Sequence, residues 1–230
     1  LLGIRLAKEA ESISVDRVQN ELAADRYAHV LVGIATAVIF AAFGYILGRQ
    51  ADQLAELSET DPLTALLNPR GFTARLRTEL KRAKRSGDSI SLLFLDLDGL
   101  KDINDRHGHR AGSAALRQVA GVIRSELRAS DAAARWGGDE FTILAPSTAE
   151  DAALALAERI RRRISEQIAP WSGRQSMTAS IGVATLDGEA TGTPSDSVAL
   201  MRAADTAMYT AKRHGKNTVV AAERVRIVRT

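Results

Sequence analysis

The sequence predicts an α/β sandwich, on three observations. Two apolar runs, 90–98 and 177–184, read as buried strands. The apolar stretches on either side of Trp136-Gly137-Gly138 read as a β-hairpin, with glycine supplying the positive φ that a tight turn needs. Between these lie segments whose apolar residues recur at helical spacing: 71–85, 114–127, 149–168 and 200–212. Strand, helix, hairpin, helix, strand, helix and a last strand is an order that packs helices against one sheet.

The length of 230 residues leaves room for one ordinary domain plus an accessory segment. With no cysteine there is no disulfide framework and no thiolate zinc site, which suits a reducing compartment. A net charge of +3, spread along the chain without interleaved aromatics, gives no support to nucleic-acid binding. The chain opens on Leu1-Leu2 without methionine, so it is expected to be part of something longer.

Taken in order, residues 1–29 carry Val15, Val18 and Leu22 at helical spacing, an amphipathic helix of no legible function. Residues 30–48 contain no charged side chain and are long enough to cross a ~30 Å hydrocarbon core. Tyr27 and Tyr45 lie near the ends, where interfacial aromatics collect. A single-pass transmembrane helix is expected there. Arg49 and the basic residues from Arg70 to Arg85 follow it, which places the C-terminal part in the cytoplasm, beneath the inner membrane. Residues 49–60, with Leu54 and Leu57, form a connecting helix too short to establish a coiled coil.

The domain proper is expected over 61–222, with 223–230 as a tail. Asp61 can cap a helix that has Pro62 at its first position. The helix at 71–85 leads into the strand ending Asp96-Leu97-Asp98, where period-two alternation sets both aspartates on one face. Asp139 and Glu140 follow the hairpin's glycines directly. Carboxylates at a hairpin tip pack poorly and suit a hard, oxygen-seeking cation. If strand and hairpin are neighbours, Asp96 and Asp139 can share one or two metals, the arrangement used in phosphoryl and nucleotidyl transfer. Residues 99–113 are polar and punctuated by glycine, and read as a binding loop at the strand's end. Met208 and Tyr209 on the last helix read as core.

These motifs resemble, in order, the GGDEF family of diguanylate cyclases. The resemblance runs from Asp61-Pro62-Leu63-Thr64, through Arg135-Trp136-Gly137-Gly138-Asp139-Glu140-Phe141, to Gly215-Lys216-Asn217. It implies a palm-type, ferredoxin-like nucleotidyl cyclase domain with a central, mostly antiparallel sheet. Asp96, the Leu97 carbonyl, Asp139 and Glu140 would hold Mg²⁺ or Mn²⁺, with Asp139 or Glu140 also the candidate base. Lys101, Lys212 and Lys216 would meet phosphate, with Gly137 and Gly138 close to the substrate. Asn104, His109 and Ser113 would face the base. Arg128 and Asp131 match the family's inhibitory RxxD motif, with Arg135 and Arg159 as further contacts. The implied partners are GTP as substrate, cyclic di-GMP as product and inhibitor, and a second copy of the chain.

Two departures matter. The family usually has Asp where Ser113 stands. A carboxylate only accepts hydrogen bonds, which favours guanine, whereas a hydroxyl both donates and accepts. Lys216 replaces the usual Arg, keeping the charge but losing the bidentate fork. Cyclic di-GMP is the expected product. Mixed cyclic AMP–GMP and a catalytically silent receptor for GTP or cyclic di-GMP are the alternatives.

Overall fold

The structure, a computed structural model, describes residue 20 and residues 27–49, 58–168, 177–187 and 194–223. Most of the expected helix at 1–29, the connecting residues 50–57, the loop 188–193 and the tail after 223 lie outside the described residues. Helix α1 (Tyr27–Arg49) has 23 residues, a mean hydropathy of 2.4 over its most apolar window and no buried residue in that window. By length and composition it can cross a membrane. A second compact unit begins at Ser58.

That unit runs α2 (Pro69–Ser86), β1 (Ile90–Asp98), α3 (Leu100–His107), α4 (His109–Glu126), β2 (Ala132–Arg135), β3 (Glu140–Pro146), α5 (Glu150–Gln167), β4 (Thr178–Leu186), α6 (Pro194–Arg213) and β5 (Val219–Ala221). The strands form one sheet in the order β2-β3-β1-β4-β5. All pairings are antiparallel except β4 with β5, as the expectation of a mostly antiparallel sheet requires. β1 is the middle strand and is buried along its whole length. Its alternation divides the core. Leu93, Leu95 and Leu97 pack towards α3, α4 and α5, while Ile90, Leu92 and Phe94 pack towards α2 and α6. The outer edge of β2 is covered by Leu67, which exchanges backbone hydrogen bonds with Ala133 and Arg135.

Gly182 on β4 sets how closely α6 approaches. A Cβ there would collide with the backbone at Ala204 and Met208, so the helix lies directly on the strand. This brings the end of α6 to the end of β1.

Four local expectations differ from the structure. Asp61 does not cap a helix. Its Oδ1 accepts from the Thr64 amide (2.8 Å) and hydroxyl (2.6 Å), closing a turn with Pro62 inside it, and Ala65 at φ 55° prevents a helical continuation. The cap is Asn68, whose Oδ1 accepts from the Gly71 amide at 2.9 Å, with Pro69 at the first helical position. The hairpin is not closed by a tight Gly-Gly turn: four residues, 136–139, connect the strands, and neither Gly137 nor Gly138 has positive φ. Residues 99–113 are not a loop but the whole of α3 and the start of α4, separated at Gly108 (φ 81°). Tyr209 is 61% exposed rather than core, whereas Met208 is buried.

Candidate active site

Backbone register brings the predicted carboxylates together. Asp96 pairs with Glu140 across β1 and β3, and the Leu97 amide donates to the Asp139 carbonyl at 3.1 Å. The hairpin divides its two acids, one ending the connection and the other opening β3. Asp139 lines a cleft beside α3 and α4, and Glu140 lines a recess between α2 and α6. Asp96, directly across from Glu140, receives Lys212 Nζ at 2.6 Å from the last turn of α6.

The charges at this end of the sheet do not balance. Burial is the main cause that pushes the Asp96 carboxyl from 3.8 up to about 6, and the charges of Asp139 and Glu140 add to it. Lys212 opposes the shift without cancelling it. The Glu140 carboxyl is pushed up as well, by burial first and then by Asp139 and Asp205. One ammonium therefore faces two carboxylates that burial already disfavours, with Asp139 adding its charge to both. A hard dication with oxygen ligands fits this donor chemistry, with the Leu97 carbonyl alongside. Among the described residues no three acidic or histidine side chains form a ready-made cation cluster.

The cleft has a volume of about 420 Å³ and gathers most of the residues predicted to meet substrate: Lys101, Asn104, His109, Ser113, Gly138 and Asp139. The helix break at Gly108 turns α4 back beside α3 and makes this possible. Gly112 contributes by lacking a side chain, since a Cβ there would occupy the place of the Asn104 amide. Lys212 is at Asp96, outside the cleft lining, and Gly137 and Lys216 do not line it either. Lys216 sits in a left-handed turn after α6 (φ 65°), which is pinned where the Asn217 amide donates to Asp98 Oδ2 at 3.2 Å.

Asp98 shares a face with Asp96 yet does not join the acidic site. Ser180 Oγ (3.0 Å), Thr178 Oγ1 (2.9 Å) and the Asn217 amide all donate to its carboxylate. It ties the end of β1 to β4 and to the turn after α6.

The residues matched to the inhibitory motif are distributed unevenly. Asp131 Oδ2 accepts from the Arg128 amide at 2.9 Å, so its carboxylate shapes the exposed turn before β2. Arg159 on α5 is ion-paired with Glu126. Arg135 belongs to the cleft instead: it donates to the Gly138 carbonyl at 2.7 Å and pairs with Asp61 at 3.4 Å. Sequence reasoning missed this link between the opening turn and the hairpin tip, and no local pattern connects residues 74 positions apart. It also missed Leu63 in the cleft and Asp205 beside Glu140. Asp205 lies two helical turns before Lys212, a spacing that could have placed both on one face of α6.

Acids at the end of an antiparallel sheet, a lysine among them and a polar cleft alongside make a donor set suited to a hard cation and the ligands it carries. The chain belongs to the GGDEF family: the family model described as "Diguanylate cyclase, GGDEF domain" matches residues 58–218. It is similar to the response regulator PleD of Caulobacter vibrioides, 42% identical over 179 residues that cover 76% of this chain and 38% of PleD. It is also similar to diguanylate cyclase A of Treponema denticola, 37% identical over 73% of this chain and 45% of that protein. This chain thus spans less than half of either relative. The crystal structure of the GGDEF domain of DgcB from Caulobacter crescentus, in complex with c-di-GMP, is 33% identical. Its match has a TM-score of 0.65 and covers 71% of this chain and 95% of that domain.

Proposed function

We propose that this chain is a diguanylate cyclase, condensing two GTP into cyclic di-GMP and two pyrophosphates. The observation that carries the reading is the convergence of Asp96, Asp139 and Glu140 with Lys212 beside a cleft that holds Asn104 and Ser113. The named relatives and the ligand of the DgcB domain point the same way.

In this reading the cleft receives the guanine, with the Asn104 amide offering both a donor and an acceptor to its edge. Lys101 and Lys216 offset phosphate charge. Asp96, the Leu97 carbonyl, Asp139 and Glu140 are the residues that would hold Mg²⁺ or Mn²⁺. Such an ion, when bound, withdraws charge from the triphosphate and favours the attacking oxygen. The 3′-hydroxyl of one nucleotide attacks the α-phosphorus of the other, its proton passing to Asp139 or Glu140, and pyrophosphate leaves. The same exchange in reverse sense closes the ring. Each domain holds one nucleotide, so the twofold product requires two copies face to face.

Three features complete the proposal. Helix α1 anchors the chain in the inner membrane with the domain in the cytoplasm. The Arg128–Asp131 turn, with Arg159, binds the product and inhibits. Ser113, which lines the cleft, favours a second reading in which adenine is tolerated and mixed cyclic AMP–GMP forms.

The test is mass-resolved chromatography of products from the full chain with Mg²⁺ and either GTP or equimolar GTP and ATP. Cyclic di-GMP dominant in both mixtures supports the main reading. A dominant mixed product in the second favours the Ser113 reading. Nucleotide binding without product makes the chain a receptor, and no nucleotide binding at all removes both.

A further inference from the structure

We infer that Lys212 is a tethered counter-cation for Asp96, which a divalent metal displaces and the nucleotide's phosphates then take up, so that metal and nucleotide each strengthen the other's binding. The inference rests on the cyclase reading of the site and goes beyond it, because it gives one lysine two successive partners. Asp96 is nearly buried, and its Oδ2 holds the ammonium at 2.6 Å. A divalent ion bound to that carboxylate sits roughly 2.0–2.6 Å from the oxygen. Ammonium and metal cannot both lie on Oδ2 without strong repulsion at short range in a poorly solvated site.

The surroundings leave the ammonium free to move while its anchor stays fixed. The backbone of α6 rests on β4 at Gly182, and the turn after the helix is pinned from Asn217 to Asp98 and from Arg161 to the Asn217 carbonyl (3.3 Å). Only the flexible stem of Lys212, one-third exposed, remains to swing. From the fixed end of α6 its reach stays near Asp96, the end of the sheet at which the cyclase reading puts the triphosphate. The free energy of breaking the ion pair is thus a cost of binding metal alone, and it is recovered once phosphate replaces Asp96 as the lysine's partner.

The experiment is calorimetric titration of Mn²⁺ into the full chain in nanodiscs at pH 8, comparing wild type with Lys212→Met, each with and without a non-hydrolysable GTP analogue. Without nucleotide, Lys212→Met should bind Mn²⁺ about 5-fold more tightly, the low end of typical coupling between sites. With the analogue the advantage should vanish or reverse. Unchanged or weaker Mn²⁺ binding by the variant in the absence of nucleotide overturns the inference, even where analogue binding falls. Failure of the cyclase reading would look different: neither protein would bind the analogue, whatever Mn²⁺ does. Should Lys212→Met fail to fold, wild type alone decides. Its ion-paired Lys212 ammonium should give a protected ¹⁵Nζ signal that Mg²⁺ without nucleotide abolishes, and a signal unchanged at saturating Mg²⁺ overturns the inference.

Discussion

Asp96 and Asp98 leave the same strand on the same face, two residues apart, and meet opposite surroundings. At Asp96 the neighbours are Glu140, Asp139 and a single lysine, and the carboxyl resists ionisation. At Asp98 two hydroxyls and an amide donate to the carboxylate. A buried acid supplied with donors holds a fold together. A buried acid crowded by other acids, with one lysine that does not cancel them, still favours a further cation, and that imbalance marks a candidate binding site.

A large effect is expected from Asp139→Asn, which removes an acid without adding bulk. GTP turnover should fall by about 10²–10³-fold, the usual loss for one electrostatic group in a reaction centre, with an unchanged melting temperature. An equal fall in melting temperature would make Asp139 structural. Next is Gly182→Ala, which drives a methyl into the backbone of α6 and should cost about 3 kcal/mol in denaturant unfolding, the upper range for overpacking. Turnover should fall too, as the end of α6 moves away from β1.

Asp98→Ala leaves two hydroxyls and an amide without their acceptor. It should destabilise the domain by about 1–3 kcal/mol, while Mn²⁺ affinity in calorimetry stays within about 2-fold of wild type. The smallest effect is the pH response of metal-free protein. Asp96 holds its proton more tightly folded, at about 6, than unfolded, near 3.8, so the folded state binds more protons between those values. Stability from this group is full below the lower value and is lost as pH rises through the upper one. In chelator, wild type should therefore lose stability on this account between pH 4 and 7, and Asp96→Asn should not, as read by melting curves of the two proteins at each pH.

How much of this was legible follows the same division. Hydrophobic alternation fixed the face of both aspartates, and the acids after Gly138 marked the hairpin tip, because both signals are local. Which acid meets hydroxyls was not legible, since Thr178 and Ser180 come from a strand 80 residues later. The helices at 99–113 were hidden by glycines and polar residues, although Leu100 and Ile103, one turn apart and both buried, carried the helical spacing. The cap passed from Asp61 to Asn68 because both precede proline, and only Thr64 decides that the first closes a turn. Gly137 and Gly138 were rightly placed at the tip for the wrong reason. A Cβ on Gly137 would meet the tip of the Glu140 side chain, so a larger residue there would shift that carboxylate rather than strain the backbone.

The proposed division of labour gives Asp96 to chemistry and Asp98 to the fold. It is tested most directly by GTP turnover with Mg²⁺ in Asp96→Asn and Asp98→Asn, prepared identically as full chains in nanodiscs. The account predicts no detectable cyclic dinucleotide from the first, and product within about 10-fold of wild type from the second, whose amide oxygen still accepts hydrogen bonds. Comparable turnover in both, or activity surviving only in Asp96→Asn, would contradict it.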